Sequence, residues 1–327
     1  MQDCASGAVD ERLASVNKHS AGSDQRRILL LAHTGREESC AIAREIGTAL
    51  VEHGLCVRVL PEEGKDMNLL GLAGVEVADS ESPAEDCELT VVLGGDGTIL
   101  RAAEVVHQAG TPILGMNLGH VGFLAEADTG QVAAVIDAIV GRNYVSEERL
   151  TIDVQVVRGK ESIASTWALN EASIEKAARQ RMLEVIIGID GRPISRFGCD
   201  GMVCATPTGS TAYNFSAGGP IVWPEVEALL MVPISAHALF ARPMVVSPSS
   251  VLAVEILPDT DGSGVLWCDG RRMIDLQPGD LVEVRRGQTP VRLVRLHEEP
   301  FSDRLVSKFE LPVAGWRGGR RGSESHD

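Results

Sequence analysis

The sequence predicts an α/β domain on a mainly parallel sheet, then an all-β, sandwich-like domain, then a C-terminal segment that returns to the first. Three observations carry that fold class. Up to about residue 145, short apolar runs alternate with stretches of helical period, the pattern of βαβ units. From Thr151 the apolar period falls to two, as in antiparallel strands covered on one face. Near the end, in FSDRLVSKFELPV, the helical period returns.

The elements follow in order. Arg27–Ala32 (RILLLA) is apolar almost throughout, as suits a parallel strand covered on both faces. Ile42, Ile46, Ala49 and Leu50 then form one helical stripe that stops near Gly54. Cys56–Leu60 is a second strand, and the polar stretch Glu62–Asp86 reads as an irregular connection. Strands over Leu89–Leu93 and Pro112–Met116 alternate with helices over Thr98–Gln108 and Gln131–Val140. In the second half Thr151–Val157, Leu183–Gly191, Val251–Ile256 and Leu281–Arg286 alternate, with a turn at Asp190-Gly191. The divisions are a disordered tail over 1–26, an α/β domain over 27–145 and a β-sandwich over 146–298. A segment over 299–315 packs back on the α/β domain, and a tail over 316–327 carries solvated arginines.

Bulk composition narrows the function. A net charge of −16 argues against nucleic-acid binding and against docking on anionic membranes. It does not oppose an anionic ligand held by a local cluster of donors. Seven cysteines are scattered without a C-x-x-C, so neither a disulfide framework nor a zinc site is expected, and a reducing cytoplasm fits. The polar N-terminus lacks an apolar signal core, and no apolar run is long enough to span a bilayer.

The chemistry centres on VVLGGDGTILRAAE, Val91–Glu104. It is not a Walker A loop, a dinucleotide fingerprint or a nucleophile elbow. Its position still matters, because it follows a buried strand and opens a helix at the carboxyl end of a parallel sheet. Gly94, Gly95 and Gly97 let backbone approach a phosphate, and the helix start, with Thr98, offers unpaired N–H groups. Arg101, one turn in, can reach the same anion. A loop that only cradled phosphate would avoid the charge of Asp96. That carboxylate either holds Mg²⁺ carried by the phosphates or takes the proton of an attacking hydroxyl. Both make it part of phosphoryl transfer.

GGDGT, Gly94–Thr98, resembles the signature shared by NAD kinases, diacylglycerol and sphingosine kinases and 6-phosphofructokinases. Three further stretches are similar to NAD kinases of the bacterial type: ALNEASIEK (Ala168–Lys176), CDGMVCATPTGSTAYNFSAGGPIVWP (Cys199–Pro224) and GMNLGHVGFLAE (Gly115–Glu126). The resemblance covers about residues 27–317. It implies transfer of the terminal phosphate of ATP, or of inorganic polyphosphate, to the adenosine 2′-hydroxyl of NAD, making NADP. The first domain then serves the donor and the second binds NAD.

The resemblance also assigns residues. Asp96 corresponds to the base, and Asp96, Gly97 and Arg101 to contacts with NAD. Asn170 and Glu171 match the pair that hydrogen-bonds NAD, and Arg181 a contact of variable residue type. Asp200 matches an acid given to NAD across a subunit boundary. Thr211, Ala212, Tyr213, Asn214, Phe215 and Ser216 match the stretch around the adenosine. It implies Mg²⁺ or another divalent cation with the nucleotide, no metal held by the protein alone, and a homodimer or homotetramer. Arg101, Lys176, Arg271 and Arg272 are the cations that could offset the acidic field near the donor. His237 reads as a satisfied polar core residue and Cys199 as a small buried hydrophobe. Two other readings compete: a lipid kinase of the diacylglycerol kinase type, which shares GGDGT, and a non-catalytic dinucleotide sensor.

Overall fold

The computed structural model describes residues 25–119, 122–178, 181–259, 262–297 and 299–313. The expected tails, 1–26 up to residue 24 and all of 316–327, lie outside the described residues.

The first half runs β1 (Arg27–Ala32), α1 (Glu37–Glu52), β2 (Cys56–Val59), α2 (Pro61–Asp66), β3 (Val75–Val77), β4 (Leu89–Leu93), α3 (Asp96–Val106), β5 (Ile113–Asn117), β6 (Ala127–Asp128), α4 (Val132–Gly141) and β7 (Val145–Arg149). Then follow β8 (Ile152–Arg158), β9 (Glu161–Ala168), β10 (Glu171–Lys176), β11 (Leu183–Ile189), β12 (Arg192–Cys199), β13 (Gly201–Ala205) and α5 (Tyr213–Ser216). The chain ends with β14 (Leu229–Ile234), β15 (Met244–Val246), β16 (Leu252–Ile256), β17 (Gly264–Cys268), β18 (Arg272–Leu276), β19 (Asp280–Arg286), β20 (Val291–Arg295) and α6 (Phe301–Phe309).

The first sheet has the order β3-β2-β1-β4-β5-β20-β7, with β6 beside β5. All its pairings are parallel except β20 with β7. β1 shows why its sequence is a continuous apolar run. Ile28, Leu30 and Ala32 join one core with residues of α1 and α4, while Leu29 and Leu31 join a second core with Ile99, Ala103 and Val106 of α3. Burying both faces leaves no position for a polar side chain. α1 ends before Gly54, whose φ of 82° supplies the left-handed residue that stops a helix.

The second half is two six-stranded antiparallel sheets, β15-β14-β13-β10-β17-β18 and β12-β11-β16-β19-β8-β9. Their shared core takes alternate residues from each strand, such as Ile152, Val154 and Val156 of β8 against Ala172 and Ile174 of β10.

Three expectations change. The stretch after Leu60 is not wholly irregular, because Pro61 opens a one-and-a-half-turn helix and Val75–Val77 adds an edge strand. The return to the first layer begins before residue 299: β20, and β7 with it, lie in the parallel sheet because Leu293 pairs with Ile113. α6 does not pack on the first layer alone. Its Phe301 and Phe309 meet Phe123 on one side and Trp223 and Phe215 on the other, at centroid distances of 4.8–5.9 Å. Arg304 anchors it by donating to the Ala125 carbonyl and the Glu126 carboxylate, each at 2.7 Å. No helix among the described residues is long and apolar enough to cross a membrane.

Candidate functional site

The strand order reverses direction between β1 and β4, so the loops that follow them lie side by side at a switch point. The amide of His33 donates to the Leu93 carbonyl at 2.9 Å and ties the loops together. Between them opens a cleft of about 730 Å³, lined by Ala32–Arg36, Gly94, Gly95, Gly97, Thr98, Arg101 and Arg271 among others.

The glycines of the turn have separate reasons. Gly94 has φ 154°, and a Cβ there would sit 2.4 Å from Thr98 Oγ1. Gly95 has an ordinary φ of −78°, and a Cβ on it or on Gly97 would project into open space. Gly94 is therefore needed by the fold, whereas Gly95 and Gly97 leave room that a ligand can use.

Asp96 opens α3 and turns its carboxylate to the stretch that ends GFLAE. Its two oxygens accept the Phe123 and Leu124 amides at 3.0 and 3.1 Å. Gly122 makes this possible, since a Cβ there would lie 2.3 Å from Asp96 Oδ1. Arg101 does reach the cleft, where it pairs with the buried Glu63 at 2.5 Å. The other Glu63 oxygen accepts the Ala32 amide at 2.8 Å.

A second pocket, of about 340 Å³, is lined by Glu171, Ser173, Glu175, Tyr213, Trp267 and Gly270. Asn170 and Glu171 stand at the start of β10, and both are buried rather than lying at a solvated strand end. Thr206 donates its hydroxyl to the Leu169 carbonyl at 2.6 Å and its amide to the Asn170 carbonyl at 2.9 Å. The Glu171 carboxylate accepts one amide, that of Tyr213, at 3.3 Å. Burial, with the Asp269 charge nearby, pushes its pKa up to about 8.

The TPTGSTAY stretch is no hairpin turn. A short 3₁₀ turn, Thr208–Thr211, runs into α5. Gly209 packs on the Asn170 carbonyl so closely that a Cβ would stand 2.0 Å from it. Asn214 is fully buried and donates to the carbonyls of Ser210 and Pro220 at 3.0 and 3.1 Å, so its side chain holds the loop. Thr211 donates to the Thr208 carbonyl, Ala212 to that of Gly209, and Phe215 packs against Phe309. Ser216 ends α5 on the exposed side.

Not every expected residue comes together. Arg101 lines the cleft of the Gly-rich turn, away from the lining of the second pocket. Arg181 is exposed and lines neither. Asp200 pairs with Lys176, and that hydrogen bond holds its carboxyl below the usual range. Lys176 is thus engaged at this pair, and Arg271 of the four expected cations joins Arg101 in the donor cleft. His237 is exposed instead of lying in the core, while Cys199 is fully buried. Among the described residues, no group of three or more His, Cys, Asp or Glu side chains is gathered to hold a metal.

Two residues escaped sequence reasoning, Asp269 and the Glu63 that pairs with Arg101. Asp269 follows β17, 1% exposed, and accepts the amides of Leu169, Asn170 and Glu171 at 3.0, 2.7 and 3.4 Å. Its partners lie about a hundred positions back in the chain, beyond the reach of local pattern; the only local signal was an Asp-Gly turn before two arginines.

Comparison with known proteins matches both halves. The ATP-NAD kinase N-terminal domain model matches residues 28–144 and the C-terminal domain model residues 169–296. The chain belongs to the NAD kinase family. Its enzymatic activity is the ATP-dependent phosphorylation of NAD. It is 58% identical over 295 residues to NAD kinase 2 of Streptomyces avermitilis, covering 90% of this chain and 97% of that one. It is 57% identical over 300 residues to an NAD kinase of Thermobifida fusca, covering 90% and 92%. In structure it resembles yeast NADH kinase complexed with NADH, with TM-score 0.79 and 25% identity over 88% of this chain and 87% of that one. An NAD kinase from Archaeoglobus fulgidus in complex with ATP gives TM-score 0.66 and 25% identity over 87% and 98%. These findings lend no support to the lipid kinase or sensor readings.

Proposed function

We propose that the cleft at the Gly-rich turn receives the donor phosphates and the Glu171–Tyr213 pocket the adenosine of NAD, with Asp96 as the base. One observation carries this reading: the same β17–β18 turn borders both cavities, Gly270 lining the smaller and Arg271 the larger. A phosphate in one and a ribose in the other then flank the same turn. The 2′-oxygen attacks the terminal phosphorus, its proton passes to Asp96, and the bond to the leaving ADP oxygen breaks. The amides of Phe123 and Leu124 hold the Asp96 carboxylate in one orientation at the start of α3. Arg101, fixed by Glu63, and Arg271 supply positive charge at the donor phosphates against an acidic molecule. A divalent cation such as Mg²⁺ arrives on the donor's own phosphates and neutralises their charge. Inorganic polyphosphate presents the same terminal group and is a second donor on this reading.

The protein acts in the cytoplasm as a homo-oligomer. The six described cysteines are free, which suits a reducing compartment. Between β14 and β15, Leu239 is fully exposed and Phe240 57% exposed, an apolar pair that association would cover. The double substitution Leu239→Ser, Phe240→Ser should lower the mass seen by analytical ultracentrifugation.

The test of the acceptor atom is an NAD analogue lacking the adenosine 2′-hydroxyl. It should bind, compete with NAD and never gain phosphate, as judged by mass spectrometry of the dinucleotide after incubation with Mg-ATP. Losing one hydrogen bond to the ionised Asp96 carboxylate costs about 1.5–3 kcal/mol of affinity. Phosphate found on the analogue would mean that another oxygen attacks, and the role given to Asp96 would fall.

A further inference from the structure

We propose that Asp269 is a positioning residue for the acceptor: it fixes the Asn170–Glu171 segment and keeps the Glu171 carboxyl as a hydrogen-bond donor to NAD. The inference rests on the reading that Glu171 faces NAD.

The geometry divides two buried carboxyls unequally. Asp269 sits at the turn between β17 and β18 with φ 53°, which folds its side chain back under the start of β10. There it accepts three successive amides and the Arg272 guanidinium at 2.8 Å. Its own amide donates to the Glu171 carbonyl at 3.0 Å, so the turn and the Asn-Glu segment grip each other from both sides. Arg272 is held in turn over the Trp167 ring, 4.5 Å from its centroid, and His107, which follows α3, stacks on the same ring.

Glu171 has no such company. Among the hydrogen bonds of the described residues its carboxylate accepts the Tyr213 amide alone. The groups facing it are Asp269 from the turn, Cys268 of β17, Tyr213 of α5, and Glu175 along its own strand, while Arg272 of β18 bonds to Asp269. The cation and the amides are spent on Asp269. Two carboxylates side by side in a dry site cannot both stay ionised at low cost, so the proton resides on the one with fewer donors. Burial and the Asp269 charge both act in that direction. A protonated Glu171 can then donate to a ribose hydroxyl or to an adenine nitrogen, which an ionised one cannot.

The experiment is calorimetric titration of the full chain with NAD alone, without donor, between pH 6 and 9.5. Affinity should fall as pH rises through about 8, where Glu171 loses its proton. Asp269→Asn removes the neighbouring charge, so the midpoint of that fall should move down by about one pH unit. Arg272→Gln removes the compensating cation and should move it up. Glu171→Gln, a permanent neutral donor, should hold NAD within about tenfold of the parent at pH 7 and abolish the pH dependence. An Asp269→Asn protein with weaker binding but an unmoved midpoint would reduce Asp269 to a packing role and overturn the proposal. If Asp269→Asn fails to melt cooperatively, Arg272→Gln decides: an upward shift supports the proposal and an unmoved midpoint overturns it. A Glu171→Gln profile identical to the parent would instead overturn the placement of Glu171 against NAD, a different failure.

Discussion

The two cavities bordered by the Gly270-Arg271 turn are built from opposite materials. The floor of the donor cleft is backbone, from the loops after β1 and β4, glycines and a helix start, with Arg101 and Arg271 on its wall. The acceptor pocket is held by buried side chains, Asp269, Thr206 and Glu171, whose polar atoms bond to backbone of the β9–β10 junction and of α5. A backbone cradle can lose a glycine hydrogen and keep its fold, because the added methyl points into the space the ligand takes. A pocket of interlocked buried groups cannot lose a member without leaving another unpaired. Changes at the first should therefore read out in catalysis, and changes at the second in stability and pH response.

The sharpest break of this contrast is Asp96→Asn. If Asp96 is the base, turnover in a coupled NADP assay should fall roughly 10²–10⁴-fold. The amide cannot accept both the Phe123 and Leu124 N–H groups, so a loss of about 1–3 kcal/mol in stability accompanies it. Near-normal turnover would remove the base.

Next is the pH response of the acceptor pocket. The Glu171 pKa rises from 4.5 to about 8 on folding. The folded chain then holds a proton that the unfolded chain has released, so stability falls as pH rises through that window and levels off above it. Glu171→Gln lacks this loss. Its melting temperature should gain on the parent's steadily from pH 5 to pH 8, by on the order of a few kcal/mol in unfolding free energy. Parallel curves would show that Glu171 is ionised in the fold.

The glycine pair tests the backbone side. Gly94→Ala should destabilise by about 1–3 kcal/mol, because it meets Thr98 at an unfavourable φ. Gly95→Ala should melt within about 0.5 kcal/mol of the parent and show its effect in the KM for ATP, with affinity for NAD unchanged. Equal melting losses in both would mean that the turn is uniformly strained. The smallest effect is expected from Arg181→Ala, whose exposed side chain lines neither cavity and should leave NAD affinity within about twofold.

Much of this was legible from the sequence because it was local. RILLLA, apolar after Arg27, reads as a strand covered on both faces, and an acid inside a Gly-rich strand–helix turn carries its own argument. α2 was not legible, since six residues containing Gly64 are too short to show a period. β20 was missed because VRLVR is short and follows the alternating sandwich strands, and only its pairing with β5 puts it in the other layer. Glu63 and Asp269 were missed for a common reason. Each is an ordinary acid in a polar stretch until folding brings its partners to it, Arg101 from 38 positions away and Asn170 from 99.

The aromatic grip of α6 has a consequence for the order of synthesis. Translation yields the Gly-rich turn first, the Asn170-Glu171 pair next, and the strand and helix that bind them only at the end. β20 must slot between β5 and β7, and Phe301 and Phe309 must reach Phe123, before the loop that steadies Asp96 gains its outer packing, although Leu124 and Ala125 are already buried against Val92, Ile99 and Ala103. A chain clipped before β20 thus carries both sequence signatures without the strand that joins β5 to β7 or the helix that packs on Phe123.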